Sequence, residues 1–329
     1  MNPRVLALLL AALLLFSAVP DTMAAPVLKE LFVDRYGVGA RGAQVFMAIN
    51  LVGALAAIPV LSWARRRASA VTLVVLASIA DGCLLLLLAA PIGFAPSLVL
   101  RALEGVTDVV VFAALFDIVR AASGGHAARG LGLASTPLLL GLGLGAVLGG
   151  QAAQTVGDGS QAMAFAVFGV SAAFCALVAA LAAISSPWLP KAATAQAGAP
   201  AIASVNPAAD VATGTFDDRP RPLWWSCAMA ISDRATGGLI TGTLPLVLAD
   251  ALGYTKRERG WLIGVPLLLM ALCTGPAGAL CDRLGSLRVR IVAGVAYAVC
   301  IAAIPLAGDT QSALAMVMVG VGLSGAMLF

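Results

Sequence analysis

Ten apolar runs divide the chain, at about 5–25, 43–63, 70–90, 97–118, 130–154, 161–184, 223–248, 260–281, 290–307 and 311–329. Each approaches the roughly twenty residues that a helix needs to cross the hydrocarbon of a bilayer. They are too long and too uniformly apolar for barrel strands, and in lipid a helix satisfies its own backbone. Composition agrees: 61% of residues are hydrophobic and 11% charged, against about a quarter charged in a soluble domain. The expected fold is all-α and polytopic, with the lipid bilayer as its surroundings. The first 26 residues do have the order of a signal peptide, with a basic start, an apolar centre and small residues at 23–25. Their run is itself about long enough to span, and it is read as the first span.

Charge orients the spans. With the N-terminus in the cytoplasm, twelve Lys and Arg fall in cytoplasmic segments and six in outer loops: Lys29, Arg35, Arg41, Lys256, Arg257 and Arg259. That bias follows the positive-inside rule. The protein is therefore expected in the membrane itself, as in a bacterial inner membrane. Its net charge of +4 is spread over short clusters between apolar runs, so no nucleic-acid surface is indicated.

The segment SPWLPKAATAQAGAPAIASVNPAADVATGTFDDRPRP, residues 186–222, is rich in Pro, Ala, Gly and Thr and has almost no apolar periodicity. It reads as a flexible cytoplasmic linker. Residues 1–185 before it form one six-span bundle, and residues 223–329 begin a second. The halves look like copies: Trp63 in SWARRR corresponds to Asp282 in CDRLGSLR, and the span starts share an offset of about 219 residues. Such a repeat suggests a transporter with its path between the halves. If the halves match, the second bundle is incomplete, with about ten of twelve spans present, and a truncated chain is expected.

The chain offers little to an enzyme. His126, the only histidine, falls in the loop SGGHAARG (123–130), and no phosphate-binding GxxxxGK[ST] loop is present. The six cysteines have no CxxC spacing, so they read as small hydrophobes. No metal or other cofactor is expected.

The fourth span breaks the apolar pattern with RALEGVTD, residues 101–108. A charge at the bilayer centre is unfavourable by about 2.5–3.5 kcal/mol on the insertion scale. At about 100° per residue, Arg101, Glu104, Gly105 and Asp108 fall within about 60° of one another. They form one polar stripe able to face a wet cavity or an internal ion pair, with Arg101 and Glu104 spaced to pair. Asp21 in the first span and Asp233 and Arg234 in the seventh are further intramembrane charges. Asp81 in the third reads as structural, and Asp117, on the opposite face from Asp108, as a partner for bases such as Arg67 or Arg120. In span five, GLGLGAVLGG sets Gly141, Gly145 and Gly149 on one smooth face beside Gly150, as close helix packing requires. At the end of span eight, Gly285 permits a tight turn beside Asp282, Arg283 and Arg288.

Three of these motifs resemble signatures of the major facilitator superfamily. GALCDRLGSLR (278–288) is similar to its loop signature at Gly278, Leu280, Asp282, Arg283, Gly285 and Arg288, although Trp63 replaces the acid in the first-half copy. Arg101 and Gly105 match R-x-x-q-G, with Glu104 at the glutamine. Gly141, Gly145, Gly149 and Gly150 match the G-x-x-x-G-P-x-x-G-G signature found mainly in antiporters, with Ala146 at the proline. The resemblance implies two six-helix bundles rocking in alternating access, with helices one, four, seven and ten lining the cavity. It further implies a monomeric carrier of a small molecule, and the buried acids suggest protons as coupling ion, with Glu104 or Asp108, biased by Arg101, as the proton-linked site. Asp21, Arg101, Glu104, Asp108, Asp233 and Arg234 would lie on the substrate and proton path. Asp282, Arg283, Gly285 and Arg288 would form a gating loop, and Gly105, Gly141, Gly145, Gly149 and Gly150 packing or hinge positions. Antiport, meaning efflux, is the favoured direction. Uptake symport of a sugar or organic acid, and a non-transporting sensor or fragment, are the alternatives.

Overall fold

The computed structural model describes residues 2–123, 127–157, 159–190, 237–238, 240–307 and 310–328, and every regular element among them is helical. The α-helices are α1 (Pro3–Met23), α2 (Ala40–Ala64), α3 (Ala70–Ala89), α4 (Phe94–Ala122), α5 (Ala127–Val156), α6 (Ser160–Ser185), α7 (Ile240–Asp250), α8 (Lys256–Leu284), α9 (Ser286–Ala307) and α10 (Gln311–Leu328). Eight of them, all but α4 and α7, are long and apolar enough to cross a membrane. α4 has the length, 29 residues, but its charges interrupt the run. His126, most of the 186–222 linker, most of the expected seventh span (223–248), Asp233 and Arg234 lie outside the described residues.

Local chemistry sets the helix ends. Asn2 caps α1 by accepting from the Arg4 amide, with Pro3 in the first turn. Past Met23, Pro26 has no N–H to give, and the ladder shifts to a 3-10 turn at Ala25–Val27 and a wider π turn at Lys29–Asp34. The helical path therefore continues beyond the membrane-length run and projects Lys29 and Glu30 at the bundle end. Arg35 then donates to the carbonyls of Leu88, Ala89 and Ala90 at 3.1, 3.1 and 2.5 Å, closing the C-terminus of α3. α8 starts earlier than its apolar run, at Lys256, because Thr255 and Glu258 form a reciprocal capping box. It ends at Gly285, whose φ of 87° turns the chain into α9 within one residue.

α1–α6 form the first bundle, around two apolar clusters centred on residues such as Phe32, Phe46 and Met163, and Leu14, Leu115 and Ile118. α8, α9 and α10 pack together in the second. The helix between them is α5, which packs more extensively on α8 and α1 than on any other helix. Its glycines explain how. A Cβ at Gly141, Gly145 or Gly149 would overlap the carbonyl oxygens of Leu15, Val19 and Met23 on α1. On another face, a Cβ at Gly143 would sit 3.0 Å from the Gly264 carbonyl oxygen, and one at Gly150 2.5 Å from that of Lys256, both on α8. The Thr22 hydroxyl, donating to the Leu142 carbonyl at 2.5 Å, adds a hydrogen bond to the α1 seam.

Gly145→Ala is expected to destabilise the protein by about 1–3 kcal/mol, since backbone must move to admit the methyl group. Gly169→Ala on α6, where the added carbon meets nothing within 4 Å, is expected to be neutral or stabilising by up to about 1 kcal/mol. Thermal unfolding of the two variants in detergent checks the contrast.

Candidate functional site

The polar stripe of α4 is turned into the first bundle. Arg101 and Glu104, 7% and 2% exposed, form a buried ion pair one helical turn apart. The Arg101 guanidinium also lies over the Phe46 ring of α2, 5.5 Å from its centroid, a cation–π contact that stabilises a charge removed from water. A third stripe residue, Gly105, brings α4 against the Asn50 backbone of α2, while Gly53 of α2 faces the Ala102 carbonyl in return. That approach lets Asn50 donate to Asp108 Oδ2 at 3.3 Å.

Asp81 of α3 belongs to the same cluster, where the sequence suggested only a structural role. Thr107 Oγ1 donates to its Oδ1 at 2.7 Å, and Cys175 Sγ of α6 donates to its Oδ2 at 3.3 Å. Asp81 and Asp108 together line a small cavity with Ser17, Ser78 and Cys175. Asp21 of α1 interacts electrostatically with both Arg101 and Asp108. Four carboxyls thus interact with one guanidinium, more negative charge than it can balance at such depth if all are ionised. Asn50, Thr107 and Cys175 escaped sequence reasoning; an asparagine at mid-run in the second apolar segment was the one available signal.

A second set of contacts joins the two halves, all at the end where α1 finishes and α8 begins. Arg259 of α8, 2% exposed, grips Glu30 with two nitrogens, its Nη1 donating to Oε2 at 3.1 Å. Lys29 pairs with Asp250 at the tip of α7 at 2.5 Å, and Lys256 Nζ donates to the Gly157 carbonyl at 2.7 Å. The hydrogen bond to Asp250 holds the Lys29 ammonium above its ordinary value, against a burial effect that lowers it. A raised lysine value keeps this pair intact throughout the neutral range, and the contribution is lost only as pH rises through the alkaline region. Near the opposite end, Arg65 pairs with Asp117 at 2.7 Å, within the first half. Arg65 is thus the base that Asp117 meets, rather than Arg67 or Arg120; Arg67 instead lies over Trp63, 4.4 Å from the ring centroid.

The structure therefore brings together four of the six residues expected on the path: Asp21, Arg101, Glu104 and Asp108. Asp282, Arg283, Gly285 and Arg288 lie apart from them at the α8–α9 turn, where Arg283 and Arg288 are exposed. Among the described residues, no group of three or more His, Cys, Asp or Glu side chains is placed to hold a metal ion.

Long apolar helices in two bundles, with charge buried inside one and latched between both, define a polytopic membrane transporter rather than an enzyme. The sequence matches the model of the Major Facilitator Superfamily over residues 10–329, and the chain belongs to that family. Similar solved structures include a bacterial homologue of the human lysosomal transporter Spinster, in an inward-facing and occupied conformation. It is 15% identical with a TM-score of 0.71, covering 99% of this chain and 72% of that one. The nucleoside transporter NupG is 13% identical with a TM-score of 0.67 (100% and 80% covered). A D-xylose–proton symporter is 14% identical with a TM-score of 0.65 (98% and 79% covered). A search of curated sequences returned no match.

Arg101→Met is expected to destabilise the protein by roughly 3–5 kcal/mol, because it leaves Asp21, Glu104 and Asp108 buried without their base, whereas Glu104→Gln, which leaves Arg101 facing Asp21 and Asp108, is expected to cost less. Thermal unfolding of the two variants in detergent measures the contrast. Arg259→Gln is expected to loosen the joined end. Cysteines introduced there should then react faster with a membrane-impermeant thiol reagent than in the parent protein.

Proposed function

We propose that this chain carries a small organic solute across the membrane by alternating access, coupled to protons and favouring export. The observation that carries the reading is the buried cluster around Arg101, where Asp21, Asp81, Glu104 and Asp108 outnumber one base. A carboxyl whose arginine contact changes as the halves rock can load a proton on one side and release it on the other. Glu104 and Asp108 are the proposed proton-linked groups. The N-terminus is placed in the cytoplasm of a bacterial inner membrane, so the end joined by Glu30 and Arg259 faces outward. The protein works as a monomer.

The glycine motif at Gly141, Gly145, Gly149 and Gly150 supports antiport, by its resemblance to the antiporter signature. Uptake symport is the second reading, supported by Ala146 where that signature has proline. Asp233 and Arg234 are proposed to complete the path from the second half, and the α8–α9 turn to gate its inner end.

The test is a substrate screen in proteoliposomes under an imposed pH gradient. Solute movement should depend on the gradient in the parent protein, and Glu104→Gln and Asp108→Asn should each remove that dependence. Export predicts accumulation driven by an acid lumen, and symport the reverse. Gradient-driven movement that survives both substitutions would sink the proton-linked assignment.

A further inference from the structure

The cavity between α1, α3, α4 and α6 has features that solute transport does not use. Its volume is about 10 Å³, room for a single water-sized guest and far too little for an organic solute. Its polar lining is made of oxygen donors from three helices: Ser17, Ser78, Asp81 and Asp108, with Cys175 at one side. Ser78 is 3% exposed, lines this cavity and has no hydrogen-bond partner among the described residues. A buried hydroxyl left so is unfavourable unless something occupies the space beside it. The Ser17 hydroxyl spends its proton on the Leu14 carbonyl at 3.0 Å, which leaves its lone pairs free to accept.

The surrounding groups already orient the acids. Thr107 and Cys175 donate to the two oxygens of Asp81, and Asn50 donates to Asp108, as outer partners do around bound ions. The electrostatics favour a cation: Asp21 and Glu104 add negative charge nearby, and Arg101, paired with Glu104, is the base that faces the group. Hard oxygen ligands disfavour soft transition metals. Mg²⁺ keeps several waters and Ca²⁺ takes six to eight oxygens, more than this space and lining provide. K⁺ is larger than the space suits.

We infer that this cavity is a binding site for one Na⁺ ion, held by Asp81 and Asp108 with the hydroxyls of Ser17 and Ser78. The site lies beside the Arg101–Glu104 pair and goes beyond the proton-coupled reading. Na⁺ occupancy is read without transport, so either assignment can fail while the other stands.

The experiment is thermal unfolding of the purified protein in detergent, titrated with NaCl against KCl at constant ionic strength, with equilibrium binding of radioactive Na⁺ alongside. Na⁺ is expected to raise the melting temperature saturably and K⁺ to leave it unchanged. Ser78→Ala and Asp108→Asn should lose the Na⁺ response, whereas Ser78→Thr, which keeps the hydroxyl, should retain it. Should Asp108→Asn fail to fold, loss of radioactive Na⁺ binding in Ser78→Ala decides the matter. Equal responses to Na⁺ and K⁺ would overturn the assignment. So would Na⁺ binding that survives Ser78→Ala, or stabilisation by acid pH with none by Na⁺, which would mark the cavity as a place for water or protons.

Discussion

The arrangement of the two halves depends on how closely α5 approaches its neighbours. On one face its glycines bring it onto the α1 backbone, and on another onto that of α8. Bare backbone is the only surface thin enough for one helix to do both at once. The other joining contacts are consequences of that proximity. Thr22 reaches the Leu142 carbonyl, Lys256 reaches Gly157, and Arg259 reaches Glu30 because α1, α5 and α8 already share a seam. In lipid, where apolar side chains gain little by leaving the tails, such packing and hydrogen bonding hold helices together.

Charge in this protein is divided between two tasks. Four of the six bases assigned to outer loops have structural partners: Lys29 with Asp250, Arg35 with the α3 carbonyls, Lys256 with Gly157 and Arg259 with Glu30. Their presence dilutes the orientation signal for a physical reason, since they serve tertiary contacts. Inside the first bundle the charges serve a different end. Buried ion pairs add little stability over well-packed apolar residues, so this cluster supports the proposed role on an ion or substrate path.

Much of this was legible in the sequence. The helices other than α7, the inward stripe of Arg101, Glu104 and Asp108, the α5 face of Gly141, Gly145 and Gly149, and the turn at Gly285 all follow from spacing along a single element. What escaped depends on how one helix is rotated against another. Asp81 reads as an isolated acid until α3 meets Thr107 of α4 and Cys175 of α6. Gly143 breaks the four-residue spacing of its neighbours because it belongs to a different face, turned to α8. Asp117 chose Arg65 over Arg67 because Trp63, standing where the loop signature has an acid, engages Arg67 with its ring. The start of α8 escaped because hydropathy is blind to a capping box that begins a helix in charged residues.

The Glu30–Arg259 pair has a consequence for timing. Its two ions gave up water to meet, and most of their mutual attraction offsets that loss. In the proposed alternating-access cycle the halves part at this end and both ions recover hydration, so the open and closed arrangements differ little in free energy on this account. Between them lies a stage at which the pair has separated but water has not yet arrived, and there neither compensation is available. The pair therefore acts less as a weight on the balance than as a brake, setting how long each arrangement persists while leaving their populations to the rest of the molecule.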